Sequence, residues 1–143
     1  MQGFEDLTVG QEWSPGQVSV TEAEILAFAR TYDPQPFHVN PEAGERHFGG
    51  LIASGWHTAA LCMRPLAEHV LDEVAVVAAV GIDDLRWHEP VRPGDTLSVE
   101  VEVGEKREWS DERGLVAFPL TGTNDDGEVV HSRTDLVLVE RRT

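Results

Sequence analysis

The spacing of apolar residues changes period once along the chain, being helical from Thr21 onward and strand-like from Val74 onward. Before Thr21, short apolar runs are broken by Gly10, Pro15 and Gly16, which predicts an extended lead-in with one strand at residues 17–20. Thr21 and Glu24 have the spacing of a capping box, and Ile25, Leu26, Phe28, Ala29 and Tyr32 then form one stripe at helical spacing. Pro34 disfavours helical geometry at Asp33, and Pro36 opposes a restart, so residues 33–38 are expected to form a stiff, non-helical loop. Asn40 and Pro41 resemble an N-cap and first helical residue, and Gly49 and Gly50 end the short helix they begin.

Leu51 to Gly55 leads into a longer helix that places Ala59, Ala60, Met63, Leu66, Ala67, Val70 and Leu71 on one predicted buried face. Pro65 lies inside it, which predicts a kink or break near Leu61. Strands are expected at residues 76–82, 84–87, 96–103, 114–123 and 129–140, separated by turn signals such as Pro93-Gly94-Asp95 and Asn124-Asp125-Asp126-Gly127. Leu97, Val99, Val101 and Val103 alternate with polar residues, so one face of the sheet meets solvent. Helices first and long strands afterwards give an α+β domain, one antiparallel sheet packed on a long helix, covering residues 1–143.

Composition narrows the chemistry. With 143 residues the chain suits one domain that buries its own core. A formal net charge of −15 argues against nucleic-acid and anionic-membrane surfaces, leaving small molecules and proteins as partners. Cys62 is the sole cysteine, which excludes an internal disulfide and cysteine-built metal sites. The start of the chain lacks a basic, apolar leader, and no segment reaches membrane-spanning length, so a cytoplasmic location is expected. No glycine-rich phosphate loop is present, and no metal or separate cofactor is expected.

Asp33 and His38 are close enough in sequence to share a water between carboxylate and imidazole, an arrangement suited to general acid and base work. By spacing alone, a turn-forming Asp33 and a partly buried loop His38 are the better explanation of the two residues. Ser54 and His57 lack an obvious orienting acid, and Ser54 reads as a helix N-cap. His47 and His88 read as surface or interface residues, and Trp13, Trp56, Trp87 and Trp109 as core or interface aromatics.

The run Asp33-Pro34-Gln35-Pro36-Phe37-His38, followed by Phe48-Gly49-Gly50-Leu51-Ile52-Ala53-Ser54-Gly55, resembles the signature of the MaoC-like dehydratases and (R)-specific enoyl-CoA hydratases. Trp87-His88-Glu89-Pro90-Val91-Arg92-Pro93-Gly94-Asp95 resembles a later strand of the same family. The resemblance implies a hotdog fold, a sheet wrapped around the long helix, and an acyl-CoA thioester as substrate. It also implies a homodimer, and addition of water to a trans-2-enoyl-CoA giving an (R)-3-hydroxyacyl-CoA. Carried over, Asp33 is the base, His38 shares the water, and the Gly55 N–H faces the thioester carbonyl. Phe37, Ser54 and Trp56 are then expected to contact substrate. A hotdog thioesterase, which also uses a water held by a carboxylate, is one alternative, although the paired Asp33 and His38 favour hydration. The departures from the commonest signature at Gln35, Phe37 and Ser54 keep open a second, an acyl-CoA-binding protein without turnover.

Overall fold

The computed structural model describes residues 1–142 and runs β1 (Glu12–Ser19), α1 (Glu22–Tyr32), α2 (Pro36–Val39), α3 (Pro41–Phe48), α4 (Gly55–His69), β2 (Val76–Trp87), β3 (Thr96–Glu102), β4 (Glu105–Glu108), β5 (Arg113–Thr123) and β6 (Val129–Glu140). All strand pairs are antiparallel, in the order β1-β3-β5-β6-β2, with β4 pairing β5. The sheet curls around α4, the hotdog arrangement.

Local chemistry explains the ends of the helices that matter. Thr21 accepts from the Glu24 amide while Glu24 returns a bond to the Thr21 amide, closing the capping box. Asn40 accepts from the Glu42 amide, and Gly49 ends α3 in the left-handed region at φ 72°. A side chain at Gly44 would come within 2.5 Å of the Gly50 carbonyl oxygen, so the close seating of α3 on the strap that leads to α4 requires glycine there.

The strand alternation read from residues 97–103 holds, with Leu97, Val99, Val101 and Val103 buried and Glu100 and Glu102 exposed. These residues meet Phe118, Leu120, Val137 and Val139 from the neighbouring strands and Cys62, Leu66 and Val70 from α4. Pro119 lies on β5 between the residues paired with β3 and those paired with β4, a gap where its missing N–H leaves less of the ladder unmade.

Several expectations are corrected. Residues 33–38 are not wholly a loop, because Pro36 sits at the first helical position, where proline is tolerated, and starts the one-turn helix α2. The long helix runs unbroken through Pro65. Its buried face is Thr58, Cys62, Pro65, Leu66 and Val70, while Ala60, Met63 and Ala67 are exposed, because α4 rests on the β1 and β3 side of the sheet and turns its alanines outward. The two strands expected at residues 76–82 and 84–87 are one strand with a register shift after Asp83, where Asp84 takes φ 53°. β1 begins earlier than expected, β4 had no signal, and Tyr32 is exposed.

One polar column interrupts the core. On the helix-facing side of β6, His131, Arg133 and Asp135 are all buried. Arg133 Nη1 donates to His131 Nε2 at 3.2 Å, so the neutral ring carries its hydrogen on Nδ1, which finds no partner among the described residues. Burial, reinforced by Arg133 and His88, pushes the imidazole down to about 4. An unfolded histidine takes a proton near pH ~6.5. Between that value and about 4 the unfolded chain therefore binds a proton that the folded chain does not, and stability is lost as pH falls through this window. Urea unfolding measured across the window is expected to show this slope, and His131→Gln, which keeps an acceptor for Arg133, is expected to flatten it.

Candidate active site

The end of α1, the turn α2 and the start of α4 converge on one carboxylate. Asp33 is the C-cap residue of α1, its amide bonded to the Ala29 carbonyl and its backbone outside the helical region. Gln35 Nε2 donates to Asp33 Oδ1 at 2.8 Å, and the Ser54 hydroxyl donates to Oδ2 at 2.6 Å. The Ser54 hydroxyl is the largest cause of an Asp33 carboxyl held below the ordinary carboxylate value. Burial opposes it, while Gln35 and the His38 ring add to it.

His38 is buried on α2, and its orientation follows from one bond. Nδ1 lies 2.8 Å from the Ile52 carbonyl oxygen, which can only accept, so Nδ1 carries the hydrogen. Nε2 is left facing Asp33 Oδ2 at 3.5 Å. In the neutral ring, carboxylate and imidazole thus present two acceptors to the same point, and a water there can donate one hydrogen to each.

Beside the pair is a cavity of about 380 Å³, lined by Asp33, Gln35, His38, Ile52, Ala53, Gly55, Trp56, Thr58, Trp87, His88, Glu89, Pro90, Val91 and Val130. Gly55 and Trp56 form the first turn of α4, where amides have no intrahelical acceptor and the helix dipole favours negative charge. The Trp87 ring packs directly over Gly55, where an added Cβ would fall within 2.4 Å of ring atoms. Trp56 and Trp87 meet edge to face with centroids 5.2 Å apart.

Of the residues singled out in the sequence, Asp33, His38, Gly55 and Trp56 come together on this cavity. Phe37 and Ser54 do not line it. Phe37 packs edge-on against His38 and Phe48, with centroid separations of 4.5 and 5.4 Å, and so braces the imidazole instead of lining the cavity. Ser54 occupies the N-cap position of α4 but is fully buried and makes no cap bond, because its hydroxyl is committed to Asp33. His57 is buried and stacks on Phe28 at 4.6 Å, away from Ser54's partner. Gln35, Trp87, His88 and Glu89 line the cavity although the sequence reading gave them no site role. The signal for Trp87, His88 and Glu89 was their place beside Pro90 and Val91, on the segment that already resembled a family strand.

Fold and site together define a hotdog protein with a carboxylate–imidazole pair at the N-terminus of its central helix. The chain belongs to the MaoC-like domain family, whose model matches residues 6–123. It is 30% identical to the uncharacterised protein YdeM of Bacillus subtilis, covering 96% of this chain and 99% of the relative. It is 34% identical to a 3-hydroxybutyryl-CoA dehydratase of Methylorubrum extorquens, over 71% of this chain and 64% of the relative. The crystal structure of the MaoC-like dehydratase from Rhodospirillum rubrum superposes with a TM-score of 0.90 at 40% identity, covering 100% of this chain and 99% of that one.

The Ser54 bond has a measurable consequence. Because Asp33 is held low, the stability its contacts supply is complete above the unfolded carboxylate value and is lost as pH falls through the lower folded value. Ser54→Ala removes the largest cause. It is expected to raise the Asp33 titration midpoint, read by carboxyl carbon NMR, and to cost about 1–3 kcal/mol of stability in urea.

Proposed function

We propose that the protein hydrates a trans-2-enoyl-CoA to an (R)-3-hydroxyacyl-CoA and catalyses the reverse dehydration. The observation that carries this reading is the 3.5 Å approach of Asp33 Oδ2 and His38 Nε2 on a cavity that also contains the Gly55 turn. A water held by the two acceptors gives a proton to Asp33 as its oxygen bonds to C3 of the substrate. The C2–C3 π electrons move toward the thioester carbonyl, whose developing negative charge is met by the Gly55 N–H at the positive end of α4. The pair then returns the proton to C2, so that one water is added in total. His38, fixed by Ile52 and braced by Phe37, keeps the water aimed at one face of the double bond. The (R) configuration and the CoA carrier come from the family resemblance, and the dehydratase of Methylorubrum extorquens supports a CoA thioester.

The expected outcome is loss of the enoyl absorbance of crotonyl-CoA without release of free thiol. Asp33→Asn and His38→Ala are each expected to lower kcat/KM by at least about 100-fold while leaving the circular dichroism spectrum unchanged. Thiol release would make the protein a thioesterase, and unchanged rates in both variants would remove the pair from catalysis.

The working form in this proposal is a homodimer in the cytoplasm, where acyl-CoA is found and the buried Cys62 stays reduced. Support comes from the edge strand β2, which exposes Val76, Val80, Ile82 and Trp87 beside the outward-facing Trp56 and Met63. A second copy covers such an edge and apolar surface at once. Light scattering after gel filtration is expected to give twice the 15.8 kDa chain mass, and Ile82→Glu is expected to shift the population toward monomer.

A further inference from the structure

We infer that the buried Arg133–Asp135 ion pair is a plug that ends the acyl cavity and restricts the site to short acyl chains; this rests on the acyl-thioester reading above. On one side the cavity is bounded by Gly55, Trp56 and Thr58 from α4 and by Val130 from β6. The next residues along the two elements are Ala59 and His131, and Arg133 bridges that space. Its Nη1 donates to the Ala59 carbonyl at 2.7 Å and to His131 Nε2 at 3.2 Å, and its Nη2 reaches Met63 Sδ at 3.5 Å. Nε donates to Asp135 Oδ1 at 2.6 Å, and both side chains of the pair are 4% exposed.

An acyl tail that grows past Thr58 and Val130 therefore meets a guanidinium held from two elements at once. To pass it, the tail must displace the ion pair or place methylenes against charges that have already lost their water. Stability alone gives no reason for the pair. Arg133 lies opposite Leu120 and Asp135 opposite Phe118 in the sheet, an apolar setting in which hydrophobic residues of equal volume would fill the core as well or better. Nor does the pair form a receptor for an acidic acyl group, since Asp135 already neutralises the guanidinium. Its effect is to replace an apolar continuation of the cavity by a polar wall.

The test compares binding of saturated butyryl-CoA and decanoyl-CoA by titration calorimetry, with hydration of crotonyl-CoA and trans-2-decenoyl-CoA measured in parallel. The wild type is expected to bind butyryl-CoA at least about tenfold more tightly. Arg133→Ala/Asp135→Ala, which removes both charges together, is expected to bring the two ligands within about threefold of each other. Arg133→Met/Asp135→Leu keeps the core filled with flexible apolar atoms, and it is expected to relax the preference in the same direction should the alanine pair fail to fold. Equal binding by the wild type, or an unchanged preference in either folded variant, overturns the plug. Length-dependent binding without turnover leaves the plug standing and removes hydration, whereas hydration without length preference does the reverse. Failure to bind any acyl-CoA overturns both.

Discussion

Both oxygens of the Asp33 carboxylate are occupied, and the placement of three helices follows from how. Oδ1 takes the amide of Gln35 and Oδ2 the hydroxyl of Ser54, so a single side chain ties the end of α1 to the turn α2 and the beginning of α4. The same bonds keep the group ionised and oriented. Ser54 gives up the usual stabilising bond to its own helix terminus in order to do this. The strap between α3 and α4 contributes its own constraint through the Ile52 carbonyl, which fixes the His38 tautomer. Structure and site are thus held by the same few bonds.

The helix α4 serves two purposes at its two ends. Its middle and C-terminal turns anchor the core through Cys62, Leu66 and Val70, whereas its first turn leaves Gly55 and Trp56 at the cavity. The sheet beneath divides in a corresponding way. The β1 and β3 side is apolar and closed by the helix, while β6 contributes the polar column and β2 remains an open edge. The cavity therefore lies where the helix begins, beside the end of the open edge strand.

Much of this was legible in the sequence. The capping box of α1, the start and end of α3 and the alternation of β3 all depend on near neighbours, and short-range patterns report them faithfully. What was not legible depended on partners far along the chain. The buried side of α4 is chosen by the strands it meets, so the alanine stripe, apolar in the sequence, faces outward. Ser54 read as a cap because its competing acceptor lies 21 residues earlier. Phe37 read as a substrate contact because nothing local shows that its ring is spent on His38 and Phe48. Trp87 and His88 meet the cavity at the end of β2, past the register shift after Asp83 that local patterning read as a break between two strands.

The contact between Gly55 and Trp87 limits how this site can change over time. With the indole lying where a Cβ would stand, any larger residue at position 55 must wait until position 87 has become smaller, and a smaller residue at 87 opens a void over the helix amides unless 55 changes too. The two positions are epistatic. Diversification of the pocket is therefore easiest at residues such as Thr58, Val91 and Val130, which border the same space without this mutual dependence.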